Sequence, residues 1–124
     1  MDALITLDDL PHTEHAHEFV GAEHGDIPFC IILVHSAPGA GPRLHSHPYP
    51  EVFVIESGEA TVRLGDREVV AHGGQIAIAP ADVPHGFTNT GPVELRLTAI
   101  HGAPRFETRW LAGHDATWAS QPSD

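Results

Sequence analysis

The stretch Gly39 to Gly58, GAGPRLHSHPYPEVFVIESG, decides how the rest of the chain is read. Its centre, PRLHSHPYPE at residues 42–51, gathers two histidines, three prolines, an arginine, a tyrosine and a carboxylate. His45 and His47 are two apart, and side chains two apart on an extended chain project from one face, so two neutral imidazoles can converge on one ion. Pro48 and Pro50 cannot continue strand pairing, so the chain is expected to reverse there and open a new strand at Glu51. That reversal brings a carboxylate beside the imidazoles. A fourth ligand has to come from elsewhere, and His85 has the most similar setting, following the turn PADVP at 80–84 and opening a strand of its own.

Outward from this stretch, short apolar runs alternate with turn residues, and eleven prolines and twelve glycines spread along the chain disfavour long helices. FCIILVHS (29–36) is apolar on both faces. EVFVIES (51–57) and ATVRLG (60–65) flank Gly58-Glu59, which reads as a hairpin turn, and Gly65-Asp66 reads as a second. REVVA (67–71), QIAIA (75–79), HGFTN (85–89), VELRLTAI (93–100) and FETRWL (106–111) follow, each bounded by Gly, Pro, Asn or Asp. This predicts about eight or nine strands and no helix, the pattern of a sandwich or barrel. Within EVFVIES, Phe53 and Ile55 share the face of Glu51 while Val52 and Val54 point the other way. One face should line a barrel interior and the other should meet a second sheet or another subunit.

The formal net charge is -11, with six arginines and no lysine, which excludes the basic surface that nucleic acid or an anionic membrane requires. Small molecules are the expected partners. Cys30, the single cysteine, lies inside an apolar run and reads as a buried, unreactive thiol. The N-terminus has no basic leader, and no apolar window approaches the roughly eighteen residues that span a bilayer, so a soluble cytoplasmic protein is expected.

At this point the spacing resembles that of the cupins. Gly39, His45, His47, Glu51 and Gly58 agree with the first cupin motif at every position, and Gly74, Pro80, His85 and Asn89 agree with the second. Asp82 replaces that motif's internal glycine, a change that Asp tolerates because it adopts left-handed turns better than most residues. The resemblance implies an all-β, single-domain jelly-roll barrel (the double-stranded β-helix of small monocupins) in which His45, His47, Glu51 and His85 hold one divalent metal. The same resemblance draws attention to Pro104, Arg105 and Phe106, an aromatic segment found near the end of the most similar small cupins. The expected organisation is an acidic, histidine-rich arm at 1–18, a barrel at 19–111 and a polar tail at 112–124 that contains Trp118.

Three nitrogens and one oxygen suit Fe, Mn, Ni, Zn or Cu and leave up to about two octahedral positions open for a substrate. Because imidazoles bind metal only when neutral, metal is expected to leave as the pH falls to about 6. Arg43, two before His45, should share the inward face, where it can neutralise a substrate carboxylate or phenolate, or it is a rim arginine paired with an acid. Tyr49 is either a proton donor at the pocket mouth or a packing residue of the turn. His101 is either a base near the metal or a surface or interface histidine. Phe53, Ile55 and Phe87 should line an apolar pocket. His15 and His17 repeat the spacing of His45 and His47 but lack a carboxylate on a following strand, and they read as part of a solvated arm. FETRWL suits an edge strand that pairs across a homodimer. Dioxygenase-type chemistry on a small oxygenated molecule is the leading expectation, ahead of isomerase, cyclase or lyase chemistry or ligand binding without turnover.

Overall fold

Period-two burial runs through the strands of the computed structural model, which describes residues 3–111. In β2 (Cys30–Ser36), Cys30, Ile32, Val34 and Ser36 face inward and are buried, while Ile31, Leu33 and His35 alternate outward and are half-buried. In β4 (Glu51–Ser57), Glu51, Phe53 and Ile55 are buried and Val52 and Val54 are half-covered. The remaining strands are β1 (Ala16–Val20), β3 (His45–Ser46), β5 (Glu59–Leu64), β6 (Arg67–His72), β7 (Ile76–Ala79), β8 (His85–Asn89), β9 (Leu95–His101) and β10 (Arg109–Trp110). Two short 3₁₀ turns, at Leu7–Asp9 and Gly21–Glu23, are the only helical elements among the described residues.

The strands form two five-stranded antiparallel sheets, ordered β1-β2-β9-β4-β7 and β10-β3-β8-β5-β6. Between them lies one core that includes Ile32, Val34, Phe53, Ile55, Val62, Phe87, Leu95 and Leu97. Phe53 and Ile55 are at most 2% exposed, and burying each side chain contributes roughly 2–3 kcal/mol.

Two turn assignments separate here. Gly65-Asp66 does close a hairpin, because β5 pairs with β6 from Leu64↔Arg67 onward. Gly58-Glu59 does not: β4 and β5 belong to different sheets, so Gly58 is a corner where the chain crosses between sheets. Glycine is required there, since its φ is +91° and a Cβ would stand 2.8 Å from the Glu94 carbonyl oxygen. Local sequence marks a reversal, but whether the next strand pairs with the last or leaves for the opposite sheet is decided by packing over the core.

Asp82 has φ +67°, in the left-handed region, and its backbone N–H donates to the His47 carbonyl at 2.7 Å. The turn before β8 is thereby tied to the chain leaving β3. At the N-terminal end, Leu4 and Ile5 are exposed and Leu7 opens a 3₁₀ turn, whereas residues 16–20 join the first sheet as β1. The tail expected at 112–124, with Trp118, lies outside the described residues.

Candidate metal centre

Two cross-strand pairs face one another across the sandwich. In the β3–β8 pairing His45 stands opposite His85, and in the β4–β9 pairing Glu51 stands opposite His101. His47 joins them from the end of β3. All five side chains are buried, at 1–5% exposure. Ligand atoms of His45, His47, Glu51 and His85 lie within 4.8 Å of one another, the four that the motif spacing brings together.

Hydrogen bonds fix which nitrogen of each ring faces the centre. Nδ1 of His45 lies 2.6 Å from the Arg43 carbonyl, Nδ1 of His85 lies 2.9 Å from the Val83 carbonyl, and Nδ1 of His47 lies 3.1 Å from the Glu107 carbonyl. A carbonyl only accepts, so each Nδ1 carries the hydrogen and each neutral ring presents the lone pair of Nε2 inward. Nε2 of His85 and of His47 then stand 2.9 and 3.2 Å from Glu51 Oε1. Lone pairs facing a carboxylate at these distances need a cation or a proton between them. His47 Nε2, fully buried, has no hydrogen-bond partner. This donor set fits a divalent transition metal: three imidazoles, each oriented through its far nitrogen, and one carboxylate.

The protonation states agree. Burial, and then the neighbouring His85, push His45 down to about 3, so it is neutral at ordinary pH. Loss of metal near pH 6, expected of ordinary imidazoles, therefore does not follow for His45. For Glu51, burial acts upward, but the neighbouring histidines, His101 first and then His47 and His85, outweigh it and hold the carboxyl well below its ordinary value.

His101 and Tyr49 complete the other side of Glu51. His101 is 2% exposed, so it is neither a surface nor an interface histidine; it sits where β9 runs past the head of β4. Its Nε2 lies 3.0 Å from Glu51 Oε2, and its Nδ1 lies 3.0 Å from the Tyr49 hydroxyl. Tyr49 stacks on His47, with ring centroids 4.7 Å apart, and burial pushes its phenol up. The aromatic segment near the end of the chain contributes as well, since Phe106 packs edge-on against His101 at 4.9 Å.

Arg43 is placed elsewhere. It stacks over Trp110 at 4.6 Å and lines an outer groove of about 520 Å³ with Thr61, Arg63 and Thr88. β3 begins only at His45, so period-two alternation does not reach back through the bend at Leu44. The inner chamber is lined by Glu51, His45, His101, Phe53 and Phe87 and leaves only about 10 Å³ open to a water-sized solute. Phe53 and Phe87 line it as the alternation suggests. Ile55 belongs to the core deeper along β4, away from the chamber at the Glu51 end. Two contributors had no signal in sequence: the Glu107 carbonyl that orients His47 and the Trp110 ring 4.9 Å from His45. Both arrive, like Phe106, from the chain's far end by tertiary packing.

A family profile described as a cupin domain matches residues 32–101, more than half of the chain. The chain belongs to the cupins. Protein SchB of Streptomyces halstedii is 44% identical over 71 residues, covering 55% of this cupin and 51% of SchB, so the chain spans about half the length of that curated relative. Among solved structures, a double-stranded β-helix protein from Klebsiella pneumoniae superposes with a TM-score of 0.70 at 20% identity, covering 89% of this chain and 97% of that one. The Lactobacillus farciminis oxalate decarboxylase, in a formate complex, superposes with a TM-score of 0.73 at 20% identity, covering 84% of this cupin and 34% of that chain. At these identities the structural likenesses establish the shared fold. No helix among the described residues is long and apolar enough to cross a membrane.

Proposed function

We propose that this cupin is a metal-dependent enzyme acting on a small oxygenated molecule, with one divalent Fe, Mn, Ni, Zn or Cu ion held by His45, His47, Glu51 and His85. The observation that carries the reading is the orientation of the three imidazoles, each with Nδ1 committed to a main-chain carbonyl and Nε2 turned to one carboxylate in a buried chamber. When bound, such an ion supplies Lewis acidity and open positions where a chelating substrate, or substrate and dioxygen, can meet.

The chain's own residues do the rest. Phe53 and Phe87 keep the chamber apolar and exclude water. The His101 and Tyr49 pair steadies Glu51 through Oε2 and leaves Oε1 toward the imidazoles. If Tyr49 donates its hydroxyl hydrogen to His101 Nδ1, the Nε2 hydrogen of His101 stands beside the chamber, ready to move to or from a bound enolate or phenolate oxygen. Arg43 lines the outer groove, which shares Pro42 and Phe87 with the chamber lining, and in this reading its guanidinium receives an anionic substrate group. The tightness of the chamber favours ligating groups of few atoms. Dioxygenase-type chemistry is the preferred branch of this reading, ahead of isomerase, cyclase or lyase chemistry.

We further propose a cytoplasmic homodimer, in which a partner covers the apolar outer face where Ile76 and Ile78 are about 60% exposed. The functional reading is tested by oxygen uptake: Fe-loaded protein with a panel of catechols, flavonols, diketones and small dicarboxylates should consume dioxygen, and H101A or Y49F should slow turnover. Ligand-induced thermal stabilisation without turnover of any of these compounds, under any of the five metals, would refute the enzyme reading in favour of a binding protein.

A further inference from the structure

A second set of metal-ligating side chains lies outside the barrel. Asp8, His12 and His17 bring one ligand atom each within 4.8 Å of one another, on a surface separate from the chamber. The local fold explains how residues so spread in the N-terminal segment meet. Asp8 sits on the 3₁₀ turn Leu7–Asp9, the chain then doubles back, and His12 bridges to His17 of β1 in an isolated antiparallel pair. The reversal is held by the Glu18 N–H donating to the Pro11 carbonyl and the Thr13 N–H donating to the Ala16 carbonyl, both at 2.9 Å. Leu10, 6% exposed, anchors the segment against the protein.

The side chains are set for a cation. Nδ1 of His12 lies 2.8 Å from the Leu10 carbonyl and must be the protonated nitrogen, so Nε2 keeps its lone pair. The His12 and His17 rings stack with centroids 4.9 Å apart, which holds the two imidazoles side by side. Nε2 of His17 lies 2.7 Å from Asp8 Oδ1, and that hydrogen bond holds the Asp8 carboxyl below its ordinary value. The fit needs only small movements, because Asp8 is exposed and can rotate outward as an ion replaces the His17 hydrogen. Two imidazoles and a carboxylate with open positions toward solvent suit Zn(II), Ni(II) or Cu(II) rather than Ca(II) or Mg(II). The net charge of -11 raises the local cation concentration further.

We propose that Asp8, His12 and His17 form a second, solvent-facing site for a late divalent transition metal, which fastens the N-terminal segment to β1. It is distinct from the barrel centre in ligands and in access. The experiment is a Co(II) and Zn(II) titration of the full chain, followed by visible absorption and calorimetry. Wild type should take two equivalents, H47A one, H12A one, and the H12A/H47A pair none, with D8N weakening the second site at least tenfold. In H47A, exchange of the amides of residues 7–10 and 12 should slow about a hundredfold at a metal concentration a hundred times the dissociation constant. His12 is exposed, so H12A leaves the fold intact, and H15A serves as the control that should change nothing. Binding unaltered by H12A and D8N would overturn the proposal, as would binding lost equally in H15A. Loss of the H47A-sensitive equivalent alone would count only against the barrel centre.

Discussion

His45-Ser46-His47 and His15-Ala16-His17 are the same local pattern in two settings, and the chain treats them differently. The first run stands where β3 faces a second sheet, so its two imidazoles, a third from β8 and a carboxylate from β4 are enclosed at no more than 5% exposure. In the second run Ala16 takes the core side of β1, at 8% exposure, and the half-buried His17 meets Asp8 and His12 outside the barrel. In the barrel every far nitrogen is fixed by a carbonyl and the rings are deprived of water. At the surface only His12 has that support. Spacing supplies the donors; enclosure decides how firmly they are held and in which protonation state.

The largest expected effect is on metal content. H47A or H85A should remove one full equivalent from the barrel centre, measured by metal analysis after gel filtration, while H12A leaves that equivalent in place. Next comes packing: F53A should destabilise the metal-free protein by about 3–5 kcal/mol in urea unfolding, whereas H12A should change it by less than about 0.5 kcal/mol.

The pH dependence of stability should separate the two clusters as well. His45 is held at about 3 in the fold against 6.5 when free, so between those values the unfolded chain binds a proton that the native one does not. Stability of the metal-free protein should therefore fall as the pH drops from 6.5 toward 3, by up to about 1.4 kcal/mol per pH unit from this group. Glu51, depressed well below 4.5, adds a loss only at lower pH, as it falls through the folded value. H45N should flatten the first slope; an unchanged slope in urea titrations between pH 6.5 and 4 would show that His45 is not its source. The smallest effect is expected for Y49F, which leaves all four ligands but loosens His101 and Glu51, and should weaken Zn(II) binding in the barrel about tenfold without altering the surface site.

Much of this was legible in the chain before folding. Most strand positions follow from period-two alternation and from proline and glycine punctuation, which are local properties, although FETRWL at 106–111 is a strand only at Arg109–Trp110; the grouping of His85 with His45, His47 and Glu51, and the tolerance of Asp82 for a left-handed turn, are what the resemblance to the cupin motifs implies. The corner at Gly58 was not legible, because a hairpin and a crossover use the same residues. Nor did the sequence decide between an inward and a rim Arg43, since alternation holds only while the backbone is a strand, and β3 starts two residues later. His101 was ambiguous for a related reason: its burial comes from standing opposite Glu51 across β4 and β9, about fifty residues apart, and no local window contains that pairing. By itself, then, the sequence determined which side chains are available as ligands and which backbone segments extend or turn. Only the tertiary structure decided which of its histidines are enclosed, which nitrogen each presents and how small the chamber is, because those depend on carbonyls and rings that packing brings from distant strands.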